Sequence, residues 1–471
     1  MPSVTLPIVR GETTDAQTDY IDFLPKNLYA VPKQVRGDSS YLISHDGLKL
    51  LANFTENFGF QKDRGGFYNE RQGKHFRVIN SALVILDPNG ALNKVIDIPG
   101  VEQASFAYSF NSTLILAEMR GWRYLDDGSI VEYTDPDFKS AIDATWTAGY
   151  YVFTDGEYLF HTDINNEAAI DSLQYATAEV SPDGTLGLLT TQDDLLMVFG
   201  RYTIQYFYNA ATPQFAFSNI AQKAINAGIV GTYAKTMLLG DVFILGGRKN
   251  ESPSFYIVGG GDIKPIATRT IDKIIAQYTD AELSGAILES RVDERMAFMI
   301  ARLERHTLVF NYTYAQAGGL DNAWSVLSTG VDNGIWLGAN GVFDPVIRKW
   351  VYGSSSSGKV FTLDKIDAAH DGTEAESEFQ TPLIPITSRI NKVELNTVTG
   401  YSSSPQSVFF SISKDAAVRE TEWIKMLPIQ GDYGGRYIIN GLGFIPLQVS
   451  FRIRCYSKGK VNFNSLVMSY G

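Results

Sequence analysis

The sequence of 471 residues contains a single cysteine, Cys455, and few histidines. One cysteine excludes an intrachain disulfide framework and any zinc cluster built on cysteine ligands. No two histidines have the His-x-x-x-His or His-Glu-x-x-His spacing that metal ligands on one helix face require. The five histidines are His45, His75, His161, His306 and His370. The sequence therefore predicts no metal site, no reactive thiol and no cofactor.

Basic side chains are also in the minority. Lys and Arg number 40 against 52 Asp and Glu, which gives a formal net charge of −12 at pH 7, and no run of Lys or Arg interrupts this background. Binding to duplex DNA depends largely on basic side chains that neutralise phosphates. Sequence-specific DNA binding is therefore not expected, although DNA that passes by without binding is compatible with this charge.

Long hydrophobic runs are missing. No apolar stretch reaches the ~18 residues that a membrane-spanning helix needs. The first seven residues, MPSVTLP, do not place a charged segment before an apolar one, so no secretory signal is expected. We expect a protein that is made in a reducing cytoplasm and does not enter a membrane.

Signatures of catalysis are absent as well. The sequence has no Gly-x-Ser-x-Gly motif, and its glycine-rich segments lack the Lys-Ser/Thr of a phosphate-binding loop. Three carboxylate pairs are candidates by residue type for a glycosidase dyad: Asp126-Asp127, Asp193-Asp194 and Asp293-Glu294. Adjacent residues on a strand point to opposite faces, so such pairs rarely face one substrate. We assign no catalytic residue.

Aromatic residues are plentiful, with 25 Tyr and 27 Phe, and they favour strands. From residue 41 to residue 370, short apolar runs alternate with turn signals. Asp155-Gly156 suggests a type I′ hairpin, whereas Gly200-Arg201 and Gly240-Asp241 suit type II′. Hairpins grouped at roughly 40–50-residue intervals are typical of four-stranded propeller blades. The pattern predicts six or seven degenerate blades, and a double-sheet barrel would give similar turns.

Two segments differ from this alternation of short strands and turns. Thr279 and Glu282 have the spacing of a capping box, in which a hydroxyl and a carboxylate satisfy the free N–H groups at a helix start. A short helix is predicted there, and a second one over 271–275.

The two ends of the chain differ from its centre. Residues 1–40 contain four prolines and are predicted to form an N-terminal extended arm. A polar cluster at 369–373 separates the propeller from residues 373–471, where the strands lengthen and suggest a C-terminal β-sandwich of jelly-roll type. The longer strands are predicted at 389–399, 407–413, 447–456 and 461–468.

Four stretches of sequence, in this order, resemble a known family. They are YIDFLPKNLYAVPK at 20–33; PDG, LLMVF and TIQYF between 182 and 207; GIVGTYAKT, YIVG and PIA between 228 and 267; and RHTLVF at 305–310. The chain resembles the packaged-DNA-stabilisation proteins, also called tail hub proteins or tail accessory factors, of short-tailed phages that infect enteric bacteria. The likeness rests on collinearity and spans about 20–385, and the C-terminal hundred residues match more loosely.

The resemblance implies a non-enzymatic structural protein of the virion tail, made late in infection. Such a protein attaches below the adaptor ring of the portal, helps to plug the channel and stabilise packaged DNA, and supports the tail needle and the tailspikes or fibres. The family implies a cyclic ring of six copies. The expected partners are therefore other copies of this chain, the portal–adaptor protein, the needle and the spike or fibre.

Two hypotheses follow for how such a ring works. A cyclic ring needs heterologous contacts, and the apolar part of the arm could supply one side of them. The candidate interface residues are Tyr20, Ile21, Phe23, Leu24 and Pro25. In addition, an acidic lumen would repel DNA phosphates and allow rapid transit.

Two alternatives remain open at this point. A propeller-fold glycoside hydrolase acting on bacterial surface polysaccharide would need two carboxylates roughly 5–9 Å apart in a cleft. A carbohydrate-binding adhesin would use exposed tryptophans, for which Trp122, Trp146, Trp336 and Trp350 are candidates, although a place in blade cores is favoured for them.

Overall fold

The computed structural model of the chain describes most of the sequence. The described residues are 2–9, 11–14, 19–32, 40–54, 62–138, 140–164, 166–177, 183–331, 334–398, 404–413, 421–427, 431 and 433–471.

The chain begins with five short strands that precede the propeller. They are β1 (Ser3–Leu6), β2 (Gly11–Thr14), β3 (Tyr20–Phe23), β4 (Leu28–Val31) and β5 (Tyr41–Ser44). β2 and β3 pair with each other as a separate antiparallel hairpin, which we call the N-terminal hairpin. β1 and β5 both pair with the last strand of the chain, and β4 pairs with β5. The beginning of the chain is thus built into the sheet formed by its end.

The described residues between 47 and 364 form seven antiparallel blades, a number that the sequence left open. Strand β6 (Gly47–Asn53) comes first in the chain but belongs to the last blade. Blade 1 contains β7 (Asp63–Asn69), β8 (Lys74–Ile79), β9 (Ala82–Leu86) and β10 (Leu92–Asp97). Blade 2 contains β11 (Ser105–Tyr108), β12 (Ser112–Ala117), β13 (Arg120–Leu125) and β14 (Ile130–Glu132). Blade 3 contains β15 (Asp143–Thr147), β16 (Tyr150–Thr154), β17 (Tyr158–Asp163) and β18 (Asn166–Thr177).

The remaining blades follow the same order. Blade 4 contains β19 (Gly187–Thr190), β20 (Leu196–Phe199), β21 (Ile204–Asn209) and β22 (Phe217–Asn219). Blade 5 contains β23 (Gly228–Ile229), β24 (Lys235–Leu238), β25 (Asp241–Gly247), β26 (Ser254–Gly259) and β27 (Asp262–Pro265). Blade 6 contains β28 (Ile287–Asp293), β29 (Met296–Arg302), β30 (Thr307–Asn311), β31 (Trp324–Thr329) and β32 (Gly334–Ile335). Blade 7 contains β33 (Gly338–Asp344), β34 (Lys349–Ser354) and β35 (Lys359–Asp364), and β6 completes it.

The middle strands explain why the sequence shows apolar runs rather than strict alternation. Each middle strand has a neighbouring blade on both faces, so both sets of its side chains are buried. Strands β12 and β16, for example, are buried at every residue. The innermost strands of successive blades lie side by side around a central channel, and β33 of blade 7 contacts β7 of blade 1.

Helices are few and lie in the connections between strands. They are α1 (Arg269–Ile275), α2 (Asp280–Ser284), α3 (Tyr312–Gly318) and two short 3₁₀ helices at Ala221–Lys223 and Leu320–Asn322. Both predicted helices are confirmed. The capping box is present in full, since the Thr279 hydroxyl accepts from Glu282 N–H and the Glu282 carboxylate accepts from Thr279 N–H.

The last eight strands form a β-sandwich together with β1, β4 and β5. They are β36 (Ala375–Gln380), β37 (Ile384–Pro385), β38 (Ser388–Thr397), β39 (Gln406–Ser413), β40 (Thr421–Leu427), β41 (Tyr437–Ile445), β42 (Gln448–Ser457) and β43 (Asn462–Tyr470). One sheet has the order β4-β5-β43-β38-β41, and the other has the order β36-β42-β39-β40. The four predicted long strands match β38, β39, β42 and β43 to within two residues, with Thr399 lying outside the described residues. The predicted all-β fold class, a propeller with a C-terminal β-sandwich, is confirmed.

The three predicted hairpin turns occur, but their types differ from the prediction. A type I′ turn needs positive φ at both central residues. Gly156 has a φ of 103°, whereas Asp155 is not among the positive-φ residues and instead accepts the N–H of Glu157 and Tyr158 on its carboxylate. The turn after β24 is Leu239-Gly240, with φ of 53° and 92°, so it has the type I′ pattern.

Gly200 is required because a side chain would not fit at this position, and not because its backbone is left-handed. It lacks the positive φ of a type II′ turn, and a Cβ at this position would lie 2.7 Å from a carboxylate oxygen of Asp183. The Asp183 carboxylate also accepts the N–H of Tyr202 at 2.6 Å, so it fixes this turn from outside the hairpin.

The strand pairing that closes the propeller ring can be tested with a matched pair of leucines on β6. Leu48 is 1% exposed and Leu50 is 47% exposed. We expect Leu48→Ala to lower the free energy of unfolding by about 3 kcal/mol, because it leaves a cavity in the core of blades 6 and 7. Leu50→Ala should cost less than about 1 kcal/mol. Urea unfolding measures both, and equal losses would contradict the closing role of β6.

Candidate subunit interface and domain junction

Residues 25–27 lie between the propeller and the sandwich and pair with both. Lys26 and Glu378 of β36 exchange two backbone hydrogen bonds at 2.9 and 3.0 Å. Toward blade 6, Asn27 N–H donates to the Val326 carbonyl at 2.8 Å, and Val326 N–H donates to the Pro25 carbonyl at 2.9 Å. We call this segment, with its two partner strands β31 and β36, the domain junction.

The side chain of Asn27 completes the junction. Its Nδ2 donates to the carbonyl oxygens of Ser328 at 3.0 Å and Glu376 at 2.8 Å, and its Oδ1 accepts Ser328 N–H at 2.9 Å. The backbone of Asn27 is left-handed, with a φ of 52°, a conformation that asparagine tolerates better than most residues. One buried side chain thus bridges the propeller and the sandwich.

Charged side chains surround the junction. Lys26, Glu376 and Glu378 are all buried, and Lys26 Nζ forms an ion pair with Glu376. Arg452 pairs with Glu378, while Arg454 lies 3.5 Å from Glu376. Buried charges of this kind are tolerated only when each has a partner. The network makes the junction polar but internally compensated.

The chain crosses from one domain to the other twice more beside the junction. On the first crossing, Ser44 N–H donates to the Val461 carbonyl at 3.0 Å and His45 N–H to the Asn27 carbonyl at 3.0 Å. The return crossing is tied to the first, since Gly47 N–H donates to the Asp367 carbonyl at 2.9 Å. It is also tied to the sandwich, because Ala368 N–H donates to the Lys458 carbonyl at 2.7 Å.

Two buried histidines line these crossings. His45 Nε2 lies 3.3 Å from Ser325 Oγ, and His370 Nδ1 lies 3.2 Å from Thr329 Oγ1. Burial lowers the pKa of His370 to about 4. Burial, helped by the positive charges of Arg291 and Lys460, also holds the pKa of His45 well below its usual value. Both rings are therefore neutral at pH 7 and act as structural parts of the junction.

The residues predicted as a subunit interface lie on and after the N-terminal hairpin. Tyr20 is 59% exposed, Ile21, Phe23 and Leu24 are partly buried, and Pro25 is buried.

The hairpin packs against its own chain. The Arg452 guanidinium lies over the Phe23 ring at 5.3 Å, and Thr270 Oγ1 of α1 donates to the Asp22 carbonyl at 3.1 Å. The main hydrophobic core contacts Leu24. Of the five predicted residues, Tyr20 is therefore the one that presents most of its surface to a second copy, and the intermolecular role stays a prediction.

The three candidate carboxylate pairs are engaged in turns or ion pairs. Asp126 accepts two hydrogen bonds from Arg71, one of them 2.6 Å long, and its pKa is lowered to about 2 mainly by Arg71 and then by Gln72. Asp293 and Glu294 both contact Lys365 Nζ, at 2.9 and 2.6 Å.

The third pair, Asp193-Asp194, belongs to the turn before β20, where Asp194 has a φ of 56°. The first two pairs thus take part in turns and ion pairs, and the third lies in a turn.

Within the part of the chain that the structure describes, no group of three His, Cys, Asp or Glu side chains is arranged to hold a metal ion. Cys455 is buried in the sandwich core, and burial raises the pKa of its thiol to about 12. A search of the same residues finds no helix with the length and apolar character needed to cross a membrane.

The central channel of the propeller is narrowed by paired polar side chains. Lys235 Nζ lies 2.7 Å from Asp143, whose carboxylate also accepts Leu188 N–H at 2.8 Å. Glu289, which also lines the channel, is paired within blade 6, since Arg302 Nε lies 2.7 Å from its carboxylate. The remaining space is a cavity of about 460 Å³. The Lys235–Asp143 ion pair joins the innermost strands of blades 5 and 3.

The four candidate tryptophans divide into two groups. Trp122 and Trp336 are buried, whereas Trp146 and Trp350 are partly exposed.

Sequence reasoning missed Asn27 and the ion network around it. Their partners lie about 300 residues away along the chain, so no local sequence pattern predicts these contacts. The one local signal is an asparagine between a proline and an apolar strand, which is compatible with a left-handed turn.

Two family models match the chain over both domains. "Bacteriophage P22 Gp10, beta-propeller" matches residues 4–367, and "Bacteriophage P22 Gp10, beta-sandwich" matches residues 376–470. The chain belongs to the bacteriophage P22 Gp10 family. The resemblance noted in the sequence is thereby confirmed. Both family descriptions name a bacteriophage protein, in agreement with the phage protein predicted from the sequence.

Among the curated relatives, the tail hub protein gp10 of Salmonella phage P22 is 28% identical over 483 residues. The match covers 98% of this chain and 98% of the relative. The looser likeness noted for the last hundred residues does not interrupt this match.

Two of the solved structures that resemble the chain have different names from the phage relative. Virginiamycin B lyase from Staphylococcus aureus has a TM-score of 0.42 and 11% identity, covering 64% of this chain and 94% of the lyase. The WD40 domain of Pan2 from Neurospora crassa has a TM-score of 0.42 and 7% identity, and the match covers 68% of this chain and 95% of the Pan2 chain. Values this low carry no argument about function.

The bridging role of Asn27 in this Gp10-family chain can be measured directly. Asn27→Ala should lower the free energy of unfolding by about 3 kcal/mol, because it removes buried hydrogen bonds and places alanine at a positive φ. Asn250 is the matched control, since it is exposed and also left-handed at a φ of 72°. Asn250→Ala should cost only about 1 kcal/mol, for the backbone alone. A similar cost for both variants would contradict the bridge.

The lowered pKa of His370 predicts a dependence of stability on pH. The unfolded chain binds this proton near pH 6.5 and the folded chain only near pH 4, so stability is complete above pH 6.5 and falls as the pH drops toward 4. For this one residue the loss is about 3 kcal/mol over that range. Urea midpoints measured between pH 6.5 and pH 4 should fall less steeply with pH for His370→Gln than for the unmodified protein.

His306, which is only half-buried, provides the control for this measurement. His306→Gln should change the pH slope less than His370→Gln does, and an unchanged slope in His370→Gln would contradict the assignment.

Proposed function

We propose that this chain is the structural tail hub subunit of a short-tailed phage. The observation that carries the proposal is the match to both domains of the P22 Gp10 family, together with a curated relative named as a tail hub protein that aligns from end to end.

In this role the chain forms a cyclic ring, of six copies by analogy with the family, below the portal–adaptor ring. It then helps to plug the channel, stabilises packaged DNA and supports the tail needle and the tailspikes or fibres. Support for the ring comes from the N-terminal hairpin, which leaves Tyr20 exposed at the edge of a well-anchored element. An anchored but exposed apolar group is suited to a heterologous contact with the next copy.

The DNA path in such a ring lies between the copies and not through each propeller. The channel of the propeller is too narrow for a duplex, since its cavity is about 460 Å³ and the Lys235–Asp143 ion pair joins strands of two different blades across it. The ring lumen is the passage, and the net charge of −12 disfavours DNA that stays bound to it.

The hydrolase alternative is not favoured, because the carboxylate pairs proposed for it are held in turns and ion pairs. Oligosaccharide release from host polysaccharide, if it were measured, would reverse this preference.

Ring formation can be tested on Tyr20 without harming the fold. Native mass spectrometry of the protein mixed with its phage's portal–adaptor complex should show a hub ring for the unmodified chain. Tyr20→Ala should weaken that ring, because the side chain is 59% exposed in the single chain. Tyr208→Ala, at an exposed tyrosine on blade 4, is the matched control.

A point substitution is preferable to removing residues 1–33, because β1 and β4 are strands of the sandwich. Failure of the unmodified chain to join the adaptor would contradict the hub role. A ring that Tyr20→Ala leaves intact would contradict only the contact assigned to the hairpin.

A further inference from the structure

One face of the propeller carries an open bowl lined by aromatic rings. The bowl lies where the innermost strands of blades 1, 2 and 3 end, and its volume is about 740 Å³. Its aromatic wall consists of Phe67, Phe106, Tyr108, Phe110 and Trp146. We call these five residues and the space between them the aromatic bowl.

The rings are arranged with faces and edges open to the space. Phe67 and Phe106 are stacked at 5.9 Å, and Phe67 lies 5.6 Å from Tyr108. Across the bowl, Phe110 meets Trp146 edge to face at 6.2 Å. Phe110 is 70% exposed and Tyr108 is 47% exposed. Large rings this exposed are uncommon on a surface that has no partner.

The polar groups at the rim leave one carboxylate unpaired. Arg71 is held by two hydrogen bonds to Asp126, and Thr145 Oγ1 is 2.8 Å from Thr190 Oγ1. The Ser109 hydroxyl is used by the turn between β11 and β12. Among the described residues, the carboxylate of Glu70 has no ion-pair partner, and it also lines the bowl. The bowl thus combines aromatic faces with one uncompensated negative charge.

Further exposed apolar side chains occur on the same face of the propeller, among charged residues such as Asp194 and Glu294. The ends of innermost strands and the turns that follow them all open on this face. At these positions in blades 5, 6 and 7 the side chains of Leu239, Val292, Phe343 and Val346 are between 42% and 65% exposed. Exposed apolar side chains spread over several blades suit a protein partner rather than a small molecule.

We propose that the aromatic bowl receives a lysine or arginine side chain of a protein that docks on this face. The negative faces of aromatic rings attract cations, and the attraction increases when a carboxylate lies beside them. Arg71 does not fill this role itself, because Asp126 holds it at the rim. The partner therefore presents a cationic anchor within an apolar surface.

A saccharide is the other ligand that uses aromatic platforms, and the bowl suits it less well. Each sugar hydroxyl that leaves water needs a hydrogen-bond partner, and most polar groups at the rim are already used within the fold. The observations therefore favour the cationic protein anchor. This inference rests on the proposed hub role only for the origin of the partner, which would be another protein of the virion.

The probe for the test is a blocked Gly-Arg-Gly peptide added to the full-length chain labelled with fluorotryptophan. The fluorine NMR signal of Trp146, identified by its loss in Trp146→Phe, should shift saturably with the peptide. Glu70→Gln and Phe110→Ala should each weaken the binding about threefold, which corresponds to the loss of one ion or cation–π contact at an exposed site.

Matched controls separate the bowl from the rest of the surface. Leu239→Ala removes an exposed side chain of the same face outside the bowl, and Glu157→Gln removes an exposed carboxylate of blade 3. Neither should change the binding. Thermal unfolding of each variant confirms that the fold is retained, since Glu70 and Phe110 are both exposed.

A blocked Gly-Gln-Gly peptide and maltotriose are the competing probes. No shift of the Trp146 signal with the arginine peptide, or an equal shift with either competing probe, would overturn the proposal. The ring assay with the adaptor is read separately, so a chain that forms the ring but ignores the arginine peptide would refute the bowl and leave the hub role in place.

Discussion

The pairing of β6 with β35 closes the propeller ring, and much of the remaining architecture depends on it. The closing strand comes from the beginning of the chain, whereas the blade that it completes comes from residues 338–364. The same N-terminal segment has already contributed β1, β4 and β5 to the sandwich before it reaches the propeller. Neither domain is therefore complete without residues from both halves of the sequence. Contacts of such long sequence separation form late, because the loop they close costs chain entropy first.

Local features of this fold could be predicted from sequence, because local physics produces them. The capping box at Thr279 and Glu282 forms as expected, and the long alternating strands of the sandwich lie within two residues of their predicted positions. Hairpin positions were also predictable. Turn types were not, since Asp155 is held by hydrogen bonds from following N–H groups and Gly200 is required by the approach of Asp183.

Features that depend on contacts between residues far apart in the sequence could not be predicted. The number of blades depends on β6, which the order of the chain separates from its blade by some three hundred residues. For the candidate site, the exposure of Tyr20 agreed with an apolar arm, but its own-chain neighbours Arg452 and Thr270 could not be foreseen. Asn27 is the clearest case, because its importance resides entirely in partners from β31 and β36.

The domain junction also has a mechanical consequence. Two domains joined by one linker can swing about it as on a hinge, with the linker acting as a single pivot. Here three backbone segments meet at the boundary, namely residues 25–27, residues 44–48 and residues 367–370, and each is hydrogen-bonded to a neighbour. Because these adjacent segments are hydrogen-bonded to one another, none of them can act alone as a hinge. A load applied to the sandwich therefore reaches the propeller through three backbone segments at once.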